Sequence, residues 1–418
     1  MTGSTLAHDA PALLLLSRNA GWTDSVRREA ARLPVARLLT VSDARDAVAL
    51  LCCGERFSHL LMHPPAADGL LPDLIGLTTG EAESGIATIL LGKDGAAARC
   101  LPGGGRATVV PRPSEGWLGP ALQQAAASPP EPVPLPLDDL LGSLAAGRLQ
   151  TRYQPVVRLA DGMPLGLEAL ARLEHPQLGT LAPDRFVPQI EAAGFAARLA
   201  ELVARRAFAQ WGGDALLRLE LRLAVNLPLD VLLLPGAAAR LEAWRVEAGI
   251  DPGRLVVELT ETHPIGRPDT LRPVLTGLRE AGYGLAIDDV GPDLRDYNEI
   301  VGLPFTTMKL DKAVVQDSAA SAAARRFLEG AIATAQAAGM LVIAEGIEDH
   351  DDWSRMAALG VHAGQGFLIA RPLTAAAVGI WHASWPRRPV AGAPPRTPPC
   401  AERAFGTTGF ASWTSSRG

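Results

Sequence analysis

Residues 284–291 read GLAIDDVG, an apolar run that ends on two adjacent aspartates, Asp288 and Asp289. Neighbouring carboxylates raise each other's pKa and resist burial. A pair delivered by a hydrophobic strand therefore needs water or a cation around it. The pair is not alone. MPLGLEALARL carries Glu168, LRLAVNLP carries Asn226, and RLVVELTE carries Glu258 and Glu261. TTMKLD presents Lys309 and Asp311, LVIAEGIED presents Glu345 and Glu348, and VHAGQGFLIARPL presents Gln365. A single aspartate after a strand is ordinarily a helix N-cap or a solvated turn residue. Many strand ends carrying carboxylate, amide or lysine groups are another matter. Converged carboxylates without a cation repel strongly in a partly buried mouth. Oxygen donors without Cys or His ligands suit a hard cation such as Mg²⁺ or Mn²⁺. Two such cations sharing a bridging carboxylate make a hydrolytic site suited to phosphodiesters.

The elements that would position these groups repeat one grammar: apolar run, polar residue, helical stretch. With YQPVVRL at the front there are eight such runs between about 138 and 384. That alternation and length predict an α/β fold, a TIM-like (β/α)8 barrel whose active site lies at the C-terminal strand ends.

The stretch GLEALARLEHPQLGTLAPDRFVPQIEAAG, followed in order by AVNLP, VELTE, AIDDVG, MKLD, AEGIED and GQGF, resembles the EAL-domain family of cyclic-di-GMP phosphodiesterases. Glu168-Ala169-Leu170 is the signature triplet. The resemblance implies that Glu168, Asn226, Glu258, Asp288 and Asp289 bind two metals, with Asp288 between them. It implies that Lys309 positions or polarises the attacking water and that Glu345 assists its deprotonation. Gln154, Leu170, Arg172, Asp311 and Gln365 would line the substrate site, and arginine suits a bidentate grip on phosphate. Glu261 and Glu348 would support the ligands from behind. The implied reaction is in-line hydrolysis of cyclic di-GMP to linear pGpG, in a cytoplasmic protein that forms a homodimer. The family usually follows its Asp-Asp pair with Phe-Gly-Thr-Gly-Tyr-Ser-Ser. Here the residues are Val290-Gly291-Pro292-Asp293-Leu294-Arg295-Asp296. This departure removes no expected ligand, but it leaves open a second reading: a barrel that binds cyclic di-GMP or a protein partner without useful turnover.

Residues 10–125 alternate short strands and helices in an α/β pattern. ALLLLSR, SHLLMHPP, IATILLG and ATVVPRP read as strands, and TDSVRREAARL reads as an amphipathic helix with Thr23 at its N-cap. The layout resembles the response-regulator receiver fold, in degenerate form. Ser17-Arg18-Asn19 stands where receivers carry an acidic cluster, and about His63 stands at the place of the phosphoacceptor. Arg112-Pro113 resembles the family's Lys-Pro step. A Pro-rich linker is expected at 126–137, and a tail without periodicity at 385–418.

Bulk properties narrow the partners. The 418 residues carry a formal charge of −6, which argues against DNA or anionic membrane as a partner. The N-terminus lacks the basic region of a signal peptide, and no run reaches the ~18 apolar residues of a membrane span. Cys52, Cys53, Cys100 and Cys400 form no CxxC pair and read as reduced thiols.

Overall fold

The computed structural model describes residues 10–52, 57–63, 74, 86–92, 108–111, 114–126, 135–260, 268–292 and 302–385. The chain separates into two compact units, Met1–Leu149 with Arg172–Gln189, and Gln150–Ala171 with Ile190–Gly418. The expected Pro-rich linker lies mostly outside the described residues, as does the tail beyond 385.

The first unit holds a parallel sheet of β1 (Ala12–Leu16), β2 (Arg37–Val41), β3 (His59–Met62), β4 (Ala87–Leu91) and β5 (Thr108–Val110). The strand order is β2-β1-β3-β4-β5, a doubly wound arrangement. Leu13 to Leu16 are fully buried, as expected of a central parallel strand covered on both faces. Trp22 and Val26 from the helix Ala20–Ala30, with Leu118 and Leu122 from the helix Leu118–Ala126, pack in one cluster with Leu13, Leu15 and Leu61. The sequence reading missed β2, whose apolar residues Leu38, Leu39 and Val41 are half-buried and flanked by the exposed Arg37. It also misplaced the first helix cap. Asn19, not Thr23, accepts from the Trp22 N–H at 3.0 Å, and Thr23 sits inside the helix with its hydroxyl donating back to the Asn19 carbonyl. Residue 63 follows β3 directly, as expected. The Arg112-Pro113 step lies outside the described residues.

The second sheet comprises β6 (Leu149–Arg158), β7 (Pro164–His175), β8 (Gly179–Leu181), β9 (Arg222–Pro228), β10 (Leu255–Thr260), β11 (Gly284–Val290), β12 (Thr307–Leu310), β13 (Leu341–Ala344) and β14 (Ala363–Gly364). Its order is β6-β14-β13-β12-β11-β10-β9-β7-β8, and an added β6–β7 pairing closes eight strands into a barrel. The expected TIM-like architecture holds, with one strand reversed: β6 pairs antiparallel with β14. A tight turn after β6 explains the reversal. The Arg158 N–H donates to the Met163 carbonyl at 2.8 Å, and Asp161 accepts from the Met163 N–H at 3.0 Å. The far end of β7 leaves the ring and pairs antiparallel with β8.

Amphipathic helices cover the barrel. Ala196–Trp211 buries Leu199, Val203, Ala207, Phe208 and Trp211, the spacing of one helical face. Ser321, Asp349 and Thr374 each cap a later helix through a side-chain oxygen. No helix among the described residues is long and apolar enough to cross a membrane.

Candidate active site

The barrel mouth is a polar ring standing on an apolar floor, and strand periodicity builds both. Side chains two residues apart share a face. Ala224, Val256 and Ala286 form one buried cluster, and each lies two residues before Asn226, Glu258 or Asp288. Val156, Ile343 and Ala363 form another. Ile343 and Ala363 precede Glu345 and Gln365 by two residues. Val156 follows Gln154 by two, because β6 runs the other way. Asn226 and Glu258 sit side by side in register on β9 and β10. Glu168 falls in the middle of β7 rather than at its end, because the strand continues into its pairing with β8. Its barrel portion pairs with β9 only through Ala169.

Lys309 stands at the centre and is almost fully buried. Its Nζ lies 2.7 Å from Glu345, 2.9 Å from Asp288, 3.1 Å from Glu258 and 3.3 Å from Glu168. Burial alone would depress this ammonium, but the surrounding carboxylates hold its pKa well above the ordinary value. One ammonium cannot neutralise the set. Burial and its acidic neighbours lift Glu258 well above the carboxylate range. Burial likewise lifts Asp288, and with Asp288 and Glu168 nearby it pushes Glu345 up to about 8. Asp289 is partly open to water, yet burial of its carboxyl and the adjacent Asp288 raise its pKa to about 6.

Glu168 is the exception. Burial opposes its ionisation too, but Lys309 and side-chain hydrogen bonds hold its pKa below the ordinary value. Two amides clamp it: Asn226 Nδ2 donates to Oε1 at 2.7 Å, and Gln365 Nε2 donates to Oε2 at 2.7 Å. Each amide then turns its oxygen the other way. Asn226 Oδ1 and Gln365 Oε1 are buried without a hydrogen-bond partner among the described residues. A buried carbonyl oxygen without a donor is costly in a finished protein interior. Unpartnered oxygens and excess carboxylate both fit a divalent cation. Glu168, Glu258 and Asp288 offer oxygens within 4.8 Å of one another, as do Asp288, Asp289 and Glu345. Asp288 belongs to both groups, the arrangement expected of a ligand between two cations.

Other expected residues have separate surroundings. Asp311 caps the helix Lys312–Asp317, accepting from the N–H groups of Ala313 and Val314. Glu348 pairs with Lys312 at 3.0 Å. Leu170 is half-buried on β7, and Arg172 is buried farther along that strand. Glu261 lies outside the described residues.

The sequence reading gives no role to Phe367, two positions past Gln365. The Arg371 guanidinium lies 4.3 Å from its ring centroid and Lys312 Nζ lies 5.7 Å away. The available signal was a basic residue just after MKLD and another four after the phenylalanine. Nor does the reading give a role to Gly366. A Cβ there would stand 2.2 Å from the Ile347 carbonyl oxygen, so no side chain fits between Gln365 and the loop after β13.

Comparison with known proteins gives a consistent assignment. The EAL domain matches residues 137–372. A cyclic di-GMP phosphodiesterase of Pseudomonas aeruginosa is 36% identical over 233 residues, covering 55% of this chain and 39% of that protein. RocR, a cyclic di-GMP phosphodiesterase of the same organism, is 32% identical over 241 residues, covering 56% of this chain and 60% of that one. Less than two thirds of either relative is thus spanned. Among solved structures, the MucR phosphodiesterase in complex with c-di-GMP is similar with a TM-score of 0.54 and 28% identity, over 58% of this chain and 98% of that chain.

Proposed function

The chain belongs to the EAL domain family, and we propose that it hydrolyses cyclic di-GMP to linear pGpG with the help of two divalent cations, Mg²⁺ or Mn²⁺. The observation that carries this reading is the pairing of two overlapping carboxylate groups, joined at Asp288, with a buried lysine in contact with four carboxylates. The relatives named for cyclic di-GMP hydrolysis support the substrate.

Glu168, Asn226, Glu258, Asp288 and Asp289 would hold the cations, which supply charge neutralisation at the scissile phosphate and an acidified water. The protein's own contributions follow from position. Lys309 places a permanent positive charge where negative charge develops, in a buried site where it acts strongly. Glu345, grouped with Asp288 and Asp289 and 2.7 Å from Lys309, would take the proton of the attacking water as the general base. The apolar floor of Ala224, Val256 and Ala286 keeps water from entering beneath the ring. Gln154, Leu170, Arg172, Asp311 and Gln365 remain the candidates for holding the nucleotide. A homodimer belongs to the same reading and is checked by light scattering.

The second reading, a binding barrel with little turnover, draws on the departure at 290–296, where proline and two aspartates replace the family's small and hydroxyl residues. One experiment separates the two. Purified protein is incubated with cyclic di-GMP and Mg²⁺ or Mn²⁺, and the products are resolved by chromatography. Appearance of pGpG, abolished by chelation and by Glu168→Ala, is the expected result. Cyclic di-GMP bound but recovered intact would favour the binding barrel.

A further inference from the structure

We infer that Gln154 is a positioning residue that acts through Gln365 on Glu168. This rests on the reading of Glu168 as a metal ligand. Gln365 Nε2 has two N–H groups and both are spoken for. One donates to Glu168 Oε2 at 2.7 Å, and the other donates to Gln154 Oε1 at 3.0 Å. The amide of Gln365 can satisfy both acceptors only with its nitrogen toward them. A flipped amide would set its oxygen against the Glu168 carboxylate and against the Gln154 oxygen. Gln154 is fixed in turn, since its Nε2 donates to the Ala370 carbonyl at 3.2 Å. That bond turns the Gln154 oxygen toward Gln365.

The topology explains why a glutamine on β6 does this. β6 is the strand that closes the barrel, lying between β14, which ends just before Gln365, and β7, which carries Glu168. Gln365 and Glu168 are 197 positions apart in sequence and reach each other across that seam. Because β6 is reversed, Gln154 stands above Val156 and points its amide into the gap between its two neighbours. Both glutamines are at least nine-tenths buried, and Gln154 has its oxygen and one N–H already engaged. The result is an ordered line: the Ala370 carbonyl orients Gln154, Gln154 orients Gln365, and Gln365 holds one oxygen of Glu168. The Gln365 oxygen is left facing away, buried and without a partner.

The test uses the full chain and Mn²⁺ as the probe. Metal affinity is measured by calorimetry without nucleotide, and cyclic di-GMP affinity separately in saturating Ca²⁺, so that turnover does not enter. Gln154→Met removes the acceptor at similar volume. It should weaken Mn²⁺ binding measured without nucleotide about 10-fold or more, the usual scale for a residue supporting a metal ligand. An unchanged circular dichroism spectrum and melting temperature of metal-free Gln154→Met control for general misfolding. In a Gln365→Met background, Gln154→Met should add little, because the line is already cut. Unchanged Mn²⁺ affinity with weakened nucleotide binding in Gln154→Met would make Gln154 a substrate contact and overturn the inference. Additive losses in the double variant would overturn it as well. A parent protein that binds no Mn²⁺ would sink the metal reading of the site itself, whereas a parent that binds it normally alongside an unaffected Gln154→Met sinks only the positioning role.

Discussion

Asp288 and Asp289 are consecutive in one strand, yet both offer a carboxylate oxygen to a single group within 4.8 Å that also includes Glu345. A regular strand would send them to opposite faces. The ladder between β11 and β12 shifts register between Ile287 and Val290, as a β-bulge does. Asp289 takes up the irregularity with φ +52, in the left-handed region, one of two non-glycine residues with positive φ among the described residues. Its N–H donates to Asp288 Oδ1 at 3.1 Å, locking the two carboxylates in relation to each other. The backbone departs from strand geometry at the point where the proposed metal site would use both side chains on the same side.

Asp289 therefore carries two burdens that substitution can separate. Asn tolerates left-handed backbone and removes only the charge; Val resists that conformation. In metal-free protein, Asp289→Asn should be as stable as the parent or more so, because one member of a crowded carboxylate group is gone. Asp289→Val should lose about 1–3 kcal/mol, the usual scale of stored backbone strain. Urea denaturation of the three proteins decides this. Equal stability of the two variants would mean that the bulge imposes no strain here.

Most of the barrel and its polar ring could be read from the chain because both obey period two. An aliphatic residue two places before each of Asn226, Glu258, Asp288, Glu345 and Gln365 is visible in the bare sequence. What could not be read depends on closure in three dimensions. The reversed direction of β6 comes from a turn at Asp161 and from pairing with β14. The middle position of Glu168 comes from an extension that pairs with β8. Asp311 illustrates the other limit: its motif is visible in the chain, but its capping of the helix Lys312–Asp317 shows only in three dimensions. In the first unit, β2 was missed because its apolar run is short, interrupted by Thr40 and bounded by Arg37 and Ser42, and Asn19 outcompeted Thr23 by lying at the actual helix start.

Lys309 should prove necessary both for turnover and for the metal-free fold. Removing one partner of a buried charged set leaves the others uncompensated, at a cost of about 3–5 kcal/mol. Lys309→Met should lower the melting temperature without metal, and Mn²⁺ should restore much of it by binding the freed carboxylates. Its kcat should fall by about 100-fold or more, with cyclic di-GMP binding largely kept, as expected for a group acting mainly in the transition state. Calorimetry and steady-state kinetics measure the two effects. A variant with near-normal kcat would remove Lys309 from the reaction.

His59 gives the first unit a defined response to acid. Its Nδ1 lies 2.9 Å from Ser58 Oγ, and its Nε2 lies 3.1 Å from the Leu122 carbonyl, so Nε2 carries the proton of the neutral ring. Burial lowers its pKa, outweighing the opposing effect of that carbonyl. The unfolded chain then binds a proton at higher pH than the folded one. The stability contribution is complete above the unfolded value of about 6.5 and is lost as pH falls toward the folded value. Amide exchange in β1 and β3 should speed up between pH 7.5 and 5.5 beyond the intrinsic rate change, and less so in His59→Gln. His63, also lowered by burial, adds to the slope in both proteins. Identical slopes in parent and variant would exclude His59 as the source.

The segment after the aspartate pair should set how well the assembled site works. Gly291 packs close to Asp311, where an added Cβ would lie 3.8 Å from the Asp311 Cβ, and Pro292 follows at once. Proline fixes φ and removes an N–H, so this segment cannot take the glycine-rich course usual in the family. In the sequence, Asp293 and Asp296 add two negative charges within seven residues after Asp289, and Arg295 offsets only part of them. Extra negative charge attracts cations but does not orient their ligands, and misplaced support around a metal site changes affinity or activity by about 10–100-fold. Activity should therefore be low with Mg²⁺ and higher with Mn²⁺. Replacing residues 290–296 with Phe-Gly-Thr-Gly-Tyr-Ser-Ser should raise kcat with Mg²⁺ about 10-fold or more, while the ligands themselves are untouched. Kinetics with each metal, beside calorimetric metal affinity, give the comparison. A parent as fast as the graft would show that the altered segment is harmless, and a graft that binds metal and nucleotide normally yet stays inactive would favour the binding barrel.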